Sequence, residues 1–316
     1  MKQSAFPAEG IWLKGNLHCH STFSDGKNTP EELAAYYREH GYDFLAITDH
    51  NRYLPHHEDL AKHGLLSLIG VERAINYRPI ENKGTDVVGI GLRDTCVQPY
   101  KDGESFKAGN YSVSDGVSIQ QIIDMVRADG QYAIVAHPRG SRLTADDVFE
   151  MQNVQAMEVF NSVEEYGAGS GGNGDSETLW DQLLQRGKRI FAVAGDDTHQ
   201  RLILACNGWI VVKAKERTRE AILDALYAGD FYASRGPEIY DFGIEDGEVY
   251  IKCSPCRSIH FSAWPQLGTS CFNGEGNTVT EARYKLRGTE TYVRARCVDE
   301  HGMPAWTQPI WFDEAK

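Results

Sequence analysis

The 316-residue sequence contains no apolar run long enough to cross a membrane, and residues 1–15 contain no apolar core of the signal-peptide type. It also lacks an excess of basic residues, since 45 Asp and Glu stand against 32 Lys and Arg and give a formal net charge of −13. An acidic chain repels a phosphate backbone at long range, so we expect neither a nucleic acid nor a membrane as partner. The composition leaves the oligomeric state open.

Cysteine is scarce, and its seven residues are scattered and odd in number. This is a poor disulfide framework and is typical of a reducing compartment, so we expect a cytoplasmic protein. Cys253 and Cys256 form a C-x-x-C pair, for which zinc would require two further ligands, such as Cys271 and Cys297. Spacing alone is weak support, and ordinary thiols are the simpler interpretation.

What the sequence does contain is an alternation of short apolar, β-branched runs with helix-like segments. The predicted strands are 11–18, 43–50, 65–72, 86–92, 132–137, 156–161 and 189–197. Candidate helices begin after the N-cap residues Thr29, Ser118, Thr144 and Ser176. The alternation predicts an α/β fold with parallel strands in a closed or nearly closed barrel, and an open doubly wound sheet is the alternative.

The pattern changes toward the C-terminus, where short β-like runs follow one another without a helical period. We therefore predict two domains, a barrel over residues 1–236 and a small antiparallel β module over residues 237–316.

Histidines and carboxylates gather where the predicted strands end. His18 and His20 lie two residues apart, and on a strand this spacing places both imidazoles on one face. Other strand ends carry the histidines His50, His137 and His199 and the acidic residues Asp25, Asp49, Glu72 and Asp197. In a parallel barrel the carboxyl ends of the strands form one rim, which is where the chemistry of such barrels takes place.

Clustered carboxylates repel one another and are costly to bury, and divalent cations remove this conflict. Imidazole together with carboxylate suits Zn, Mn and Fe. The candidate ligands are too many for one tetrahedral ion, so we expect two or three divalent metal ions at this rim.

Five motifs resemble the PHP family, named for polymerase and histidinol phosphatase; in order they are HCHSTFSDG, ITDHN, GVE, AHPRG and GDDTH. The resemblance covers residues 11–235. The segments WLKGNLHCHSTFSDG, WDQLLQRGKRIFAVAGDDTH and ALYAGDFYASRGPEI are similar to the carbaryl-hydrolase-like branch of PHP metallohydrolases, which carries a C-terminal β extension. The resemblance implies a distorted (β/α)7 barrel with two or three metals on its rim.

The resemblance also implies which residues bind metal. The set of the first metal corresponds to His18, His20, Glu72 and Asp197. Glu72 would bridge to a second metal that His137 also binds, and the third set corresponds to Asp25, His50 and His199. Where the family usually has another histidine, before the fourth strand, this sequence has Asp86. Asp86 either binds the second metal through oxygen, or that site is weakened or empty.

From this resemblance we expect a metal-dependent phosphoesterase that hydrolyses a small phosphorylated metabolite through a metal-activated hydroxide. Asp197 or a rim histidine such as His199 is the predicted proton shuttle. The nearer branch suggests an alternative, hydrolysis of a carbamate or carboxylic ester by the same metal cluster. A non-catalytic, metal-stabilised module is a third interpretation, and the acidic charge argues against a nuclease.

An arginine near the rim would stabilise charge on a phosphoryl group. Arg139 is preferred because it follows His137 by two residues, and Arg52 and Arg201 are alternatives. Glu158 and Asn161, in and at the end of the sixth predicted strand, are candidates for supporting the metal ligands from behind.

Overall fold

A computed structural model describes residues 2–73, 86–94, 118–200, 202–274 and 276–312. Strands and helices alternate in its first part, as expected for an α/β fold. The strands are β1 (Lys2–Ser4), β2 (Ile11–Asn16), β3 (Phe44–Ile47), β4 (Leu66–Arg73), β5 (Val87–Gly91), β6 (Tyr132–Val135), β7 (Ala156–Asn161), β8 (Phe191–Gly195), β9 (Trp209–Ala214) and β10 (Phe231–Ser234). The seven predicted strands correspond to β2–β8.

The helices pack outside these strands and are α1 (Pro30–Glu39), α2 (His57–Lys62), α3 (Ile119–Ala128), α4 (Ala145–Glu150), α5 (Ser162–Tyr166), α6 (Glu177–Gln185) and α7 (Arg219–Ala228), with a short 3₁₀ turn at Leu202–Leu204. Within the described ranges, none of them combines the length and the apolar character that crossing a bilayer requires.

Local sequence explains where several helices begin. Thr29 accepts a hydrogen bond from the backbone N–H of Glu32 at 3.2 Å, and the Glu32 carboxylate accepts one from the backbone N–H of Thr29 at 2.8 Å. Pro30 occupies the first turn of α1, where its missing N–H is not needed. The same reciprocal arrangement starts α3 at Ser118 and α4 at Thr144. These three predicted N-caps are confirmed.

From Ile239 onward, the described part of the chain contains strands and no helix. These strands are β11 (Ile239–Glu245), β12 (Glu248–Cys256), β13 (Ser258–Trp264), β14 (Thr269–Phe272), β15 (Val279–Lys285), β16 (Tyr292–Val298), β17 (Pro304–Thr307) and β18 (Ile310–Trp311). Their ladders are antiparallel, which confirms a C-terminal antiparallel module. A four-stranded sheet, β1-β11-β12-β15, shares an apolar core with β13, β16 and β17 of a larger sheet.

The larger sheet has the strand order β14-β13-β16-β17-β10-β9-β2-β3-β4-β5-β6-β7-β8, with β18 paired to β16. The ladders β2-β3-β4 and β6-β7-β8 are parallel. The prediction of parallel strands throughout is wrong at β5, which runs antiparallel to both β4 and β6. Residues 74–86 connect β4 to β5.

The direction of β5 decides where Asp86 lies. Asp86 precedes β5, so in a parallel strand it would lie at the edge opposite to the predicted rim. Because β5 is reversed, its start meets the end of β6, and the carbonyl of Asp86 accepts a hydrogen bond from the backbone N–H of Ala136 at 3.0 Å. Asp86 therefore reaches the same edge as the carboxyl ends of β4 and β6.

The large sheet is strongly curved around an apolar core. One buried cluster includes side chains from β2, β3, β5, β6, β8 and β9, namely Leu13, Phe44, Val88, Ile134, Val193 and Ile210. Strand β8 contacts both β9 and β10. No ladder joins β8 to β9 or β10 in the described ranges, so the closed barrel stays a prediction.

Candidate metal centre

All nine predicted metal ligands lie at one edge of the large sheet, and they form three groups. Within each group, the potential ligand atoms lie within 4.8 Å of one another. The first ligand group is His18, His20, Glu72 and Asp197. The second ligand group is Glu72, Asp86 and His137. The third ligand group is His20, Asp25, His50 and His199. Because Glu72 and His20 each belong to two groups, the three groups form one continuous centre.

The first ligand group is the most compact and is buried. The Nε2 atoms of His18 and His20 lie 3.2 Å apart. Glu72 Oε2 lies 3.2 and 3.1 Å from these nitrogens, and Asp197 Oδ1 lies 3.3 and 3.1 Å from them. In a tetrahedral site with metal–ligand bonds of about 2.0–2.1 Å, the ligand atoms lie about 3.3 Å apart. These five distances, between 3.1 and 3.3 Å, match the spacing of ligand atoms around a single divalent cation.

The second ligand group uses the other oxygen of Glu72. Glu72 Oε1 lies 3.1 Å from His137 Nε2, which in turn lies 3.6 Å from Asp86 Oδ2. The two oxygens of the Glu72 carboxylate therefore face two different ligand groups, which is the placement that a bridging carboxylate requires.

The third ligand group is wider and more open to solvent. Asp25 Oδ2 lies 3.4 Å from His199 Nε2 and 3.8 Å from His50 Nε2. The side chains of Asp25 and His199 are 21% and 22% exposed, whereas Glu72 is fully buried. This group lies on the solvent side of the centre.

A carboxylate behind the centre orients two of the histidines. Glu158 Oε1 lies 2.8 Å from His18 Nδ1, and Glu158 Oε2 accepts hydrogen bonds from the backbone N–H of His137 at 2.7 Å and from Asn161 Nδ2 at 2.8 Å. A proton on His18 Nδ1 that binds Glu158 leaves the Nε2 lone pair directed into the first ligand group. The predicted supporting positions of Glu158 and Asn161 thus lie against the ligands.

Two more imidazoles are anchored at Nδ1. His199 Nδ1 donates to the carbonyl of Asp197 at 2.7 Å, which leaves its Nε2 as the acceptor nitrogen that faces Asp25. His137 Nδ1 lies 2.9 Å from Ser141 Oγ, while its Nε2 faces Glu72. The carbonyl of Asp197 fixes the tautomer of His199, and the contact with Ser141 orients the ring of His137.

Two buried aspartates near the ligands are structural supports. Asp49 accepts hydrogen bonds from the backbone N–H and the hydroxyl of Ser21, each at 2.7 Å, and from the hydroxyl of Ser24 at 2.7 Å. Asp49 thereby holds the loop that carries Asp25. Asp196, which the sequence analysis did not single out, accepts from backbone N–H groups of residues 206–208 and from two further side chains, Asn16 and Tyr37.

Two ligand positions have strained backbones. Asp197 (φ 54) and His137 (φ 28) adopt positive φ values, which are uncommon for residues other than glycine. Such conformations cost on the order of 1–3 kcal/mol and persist where the surrounding structure holds them, most often at functional sites. The hydrogen bond from the backbone N–H of His137 to Glu158 is one such restraint.

The electrostatics of the centre couple its imidazoles to its carboxylates. Burial alone would lower the pKa of His20, but the adjacent carboxylates of Asp197 and Glu72 outweigh it and raise this pKa to about 10. Burial would raise the pKa of Glu72, but His18 and His50 hold it well below its usual range. Burial lowers the pKa of His50 to about 4. Protons on the imidazoles and a divalent cation therefore compete for the same carboxylates.

The ligand atoms of the first ligand group are better placed to bind a divalent cation than to form hydrogen bonds with one another. Glu72 Oε2 and Asp197 Oδ1 are buried and accept no well-formed hydrogen bond within the described part of the chain, although imidazole nitrogens surround both oxygens. Buried carboxylate oxygens left in this way are costly. Imidazole and carboxylate donors that converge on one point are the ligands of Zn, Mn and Fe sites.

The two candidate arginines that the structure describes are less buried than the residues of the first ligand group. Arg139 is exposed, and its Nη1 donates to the carbonyl of Asp175 at 3.2 Å, so its side chain lies against the segment that leads into α6. Arg52 is half-buried, with its backbone N–H bonded to the carbonyl of Asp49 at 3.1 Å. Arg201 lies outside the described residues.

A curved α/β sheet with histidines and carboxylates collected at one edge defines a class of metal-binding α/β proteins. Comparison with known families narrows this class, because residues 16–114 match the model of the PHP domain. The match assigns residues 16–114 to the PHP domain family. Its assignment to the carbaryl-hydrolase-like branch stays a prediction.

Two relatives match parts of the chain. The "DNA polymerase/3'-5' exonuclease PolX" of Bacillus subtilis is 50% identical over 154 residues, which are 46% of this chain and 27% of that protein. The "5'-3' exoribonuclease" of Haemophilus influenzae is 36% identical over 85 residues, which are 26% of this chain and 30% of that protein. The matched part thus spans less than a third of the length of either relative.

A solved structure shares the fold over almost the whole chain. It is a two-domain protein from Bacteroides vulgatus, described as containing a predicted PHP-like metal-dependent phosphoesterase. The two chains are 14% identical, the match covers 94% of each, and the TM-score is 0.50. At this identity, the likeness shows a shared fold.

Proposed function

We propose that this protein is a metal-dependent phosphoesterase that hydrolyses a small phosphorylated compound at the edge of its large sheet. The observation that carries the proposal is the convergence of the three ligand groups, joined by Glu72 and His20. We assign the metal ligands to the nine residues of these groups, which are His18, His20, Asp25, His50, Glu72, Asp86, His137, Asp197 and His199.

The charges of the ligand groups suit two or three divalent cations. Their carboxylates are those of Asp25, Glu72, Asp86 and Asp197, and two divalent cations balance the four negative charges. A third cation would give the centre a positive charge that attracts a phosphate group. Zn, Mn or Fe matches the imidazole and carboxylate donors.

When bound, such cations supply a hydroxide at neutral pH and polarise the bond that is attacked. The chain's own residues fix the ligands and move protons. Glu158 holds His18 and the backbone of His137 in place before substrate arrives. We assign Asp197 as proton acceptor within the buried part of the centre and His199, which is partly exposed, as the group that exchanges protons with solvent.

Arg139 is our candidate for the residue that stabilises charge on the phosphoryl oxygens. It lies two residues after His137, and its exposed guanidinium donates a single hydrogen bond to a backbone carbonyl among those the structure describes. We infer that this guanidinium turns from the carbonyl of Asp175 to an anionic group of the bound substrate.

Two other substrate classes are alternatives to a phosphorylated compound, and comparing their turnover in one assay distinguishes them. A carbamate or carboxylic ester needs the same hydroxide but no arginine. Oligonucleotides are a second candidate because both relatives are named as exonucleases, whereas the net charge of −13 disfavours long polyanions.

The test uses the full chain loaded with Mn²⁺ or Zn²⁺ and offered an aryl phosphate, an aryl acetate, an aryl carbamate and a short oligonucleotide. We expect aryl phosphate turnover that His20→Ala abolishes and that His301→Ala, at a side chain 76% exposed, leaves unchanged. Arg139→Ala should lower kcat/KM for the phosphate at least about tenfold and spare the acetate. Turnover of the ester or the oligonucleotide alone would replace the proposed substrate class, and no turnover of any would favour a non-catalytic module.

We also propose the architecture of a distorted seven-stranded barrel over residues 1–236 and a β module over residues 237–316. Support comes from the contacts of β8 with β9 and β10 around a common core. The two parts share ladders, since β10 pairs with β17 and β1 pairs with β11. Such a module would fold against the barrel and not as a separate unit.

A further inference from the structure

Three cysteines far along the chain from the candidate metal centre converge inside the C-terminal module. Cys253, Cys256 and Cys297 are buried, with exposed fractions of 2%, 0% and 0%. Their sulfur atoms lie within 4.8 Å of one another, and those of Cys253 and Cys256 are 3.9 Å apart. Buried thiols are common, but three that meet at one point are also a set of soft donors.

An irregularity in β12 brings two of these thiols to one side. In a regular strand, residues three apart point to opposite faces. The register between β12 and β15 shifts between Lys252 and Cys256, so that Pro255 is exposed while Cys253 and Cys256 are both buried. The bulge therefore gives the C-x-x-C pair a shared inward direction that the spacing alone does not provide.

The third thiol comes from the opposite sheet. Cys297 lies on β16 in the larger sheet, where it pairs with Ile259 of β13. Cys253 and Cys256 lie on β12 in the smaller sheet, and β12 contacts β16 across the shared apolar core. A single ion bound by the three sulfur atoms would join the two sheets of the module.

We propose that Cys253, Cys256 and Cys297 form a buried site for one thiophilic d¹⁰ cation, with Cu⁺ as the ion that matches three thiolate donors. Thiolates select soft ions such as Cu⁺ and Zn²⁺, and a structural Zn²⁺ site takes four ligands. Cys271, the other cysteine considered for such a site, lies half-buried on β14 and does not belong to the group. Binding of the ion displaces the thiol protons to solvent.

The alternative chemistry for the same residues is a disulfide. A disulfide between Cys253 and Cys256 would bring sulfur atoms now 3.9 Å apart to about 2.05 Å. A disulfide would bond two of the three sulfur atoms and leave the Cys297 thiol free. A bound cation would be coordinated by all three.

The test is an anaerobic titration of the full reduced protein with Cu⁺ in the presence of a competing chelator. We expect one Cu⁺ per chain with sulfur-to-copper charge-transfer absorption, three sulfur neighbours by X-ray absorption spectroscopy, and a rise in Tm of at least about 3 °C. The candidate metal centre contributes nitrogen and oxygen donors, so sulfur coordination reports on this site independently of enzyme activity.

Cys256→Ser and Cys297→Ala should abolish the charge-transfer absorption and the Tm rise, whereas Cys271→Ser should retain both. If either variant fails to fold, the number of sulfur neighbours in the wild-type protein decides. Three support the proposal and two or fewer overturn it. Absence of sulfur-bound copper at equimolar Cu⁺, or a Cys253–Cys256 disulfide found by mass spectrometry in the freshly purified protein, also overturns it.

Discussion

His18 Nδ1 and Glu158 Oε1 lie 2.8 Å apart, and both side chains are buried. The other oxygen of the same carboxylate accepts the backbone N–H of His137. One glutamate in the interior of β7 thus holds a residue of the first ligand group and a residue of the second. The relative position of the two groups depends on this carboxylate.

Glu158→Gln should weaken metal binding about 10- to 100-fold, which is the usual effect of removing a carboxylate behind a histidine ligand. The amide keeps the volume of the side chain but can accept only at one of its two positions, so the orientation of His18 or of His137 is lost. Competition with a chromophoric chelator measures the affinity. Glu150→Gln, at an exposed position at the end of α4, is the matched control and should bind metal as the wild type does. Equal affinities for both variants would show that Glu158 does not position the ligands.

Gly195 leaves no room for a side chain behind His18. A Cβ atom at this position would lie 2.6 Å from Glu158 Oε1 and 3.2 Å from the Cβ of His18. Gly195→Ala should therefore displace the carboxylate, destabilise the fold by about 1–3 kcal/mol and reduce metal affinity. Urea denaturation and the chelator assay measure the two effects. Gly274→Ala, where an added Cβ would meet nothing within 4 Å among the described residues, should change neither property. A wild-type profile for Gly195→Ala would contradict the close packing.

The elements that the sequence predicted correctly are those set by local chemistry. Thr29, Ser118 and Thr144 start helices because their hydroxyls accept hydrogen bonds from N–H groups three residues ahead. The direction of β5 was not predictable in this way, because its apolar residues satisfy a parallel or an antiparallel ladder equally. That direction depends on pairing with both β4 and β6, and β6 lies far from β5 in sequence.

The candidate site also combines residues recognisable from local sequence with residues whose role depends on the folded chain. His18 and His20 are visible in the sequence because their spacing and their place at a strand end are unusual for a core. Glu158 and Asn161 were also candidates because of their place in and at the end of a predicted strand, whereas Asp196 was not singled out as a support. Asp196 and Asp197 are adjacent in sequence, yet one faces the ligands and the other accepts hydrogen bonds from residues 206–208. Only the folded chain separates these roles.

Substitutions of Asp86 test whether the second ligand group binds a metal ion. Its Oδ2 atom lies 3.6 Å from His137 Nε2, so Asp86→Ala should lower the affinity for one metal equivalent at least about tenfold. Asp86→His restores a donor at this position and should keep that equivalent. Metal content after dialysis, measured by mass spectrometry, distinguishes the two. Asp94→Ala, near the other end of β5 and 67% exposed, is the control. Unchanged metal content in Asp86→Ala would remove Asp86 from the ligands.

Arg294 joins the β module to α6 through a buried guanidinium. Its Nε and Nη2 donate to the two carboxylate oxygens of Asp181 at 2.7 and 2.6 Å, and Nη2 also donates to Glu177 at 2.8 Å. Arg294 is 1% exposed, so Arg294→Met leaves two carboxylates without their main partner and should destabilise the fold by about 3 kcal/mol.

Arg294→Lys should recover only part of this loss, because an ammonium group cannot reproduce the two parallel hydrogen bonds to Asp181. The matched control is Arg296→Met, which removes a 36% exposed arginine that also contacts Glu177. Since such partly exposed pairs contribute little, it should cost less than about 1 kcal/mol. Urea midpoints of the three variants, measured with metal removed by chelator, give the comparison. If Arg294→Met and Arg296→Met shift the midpoint equally, the buried pairs do not hold the module to α6.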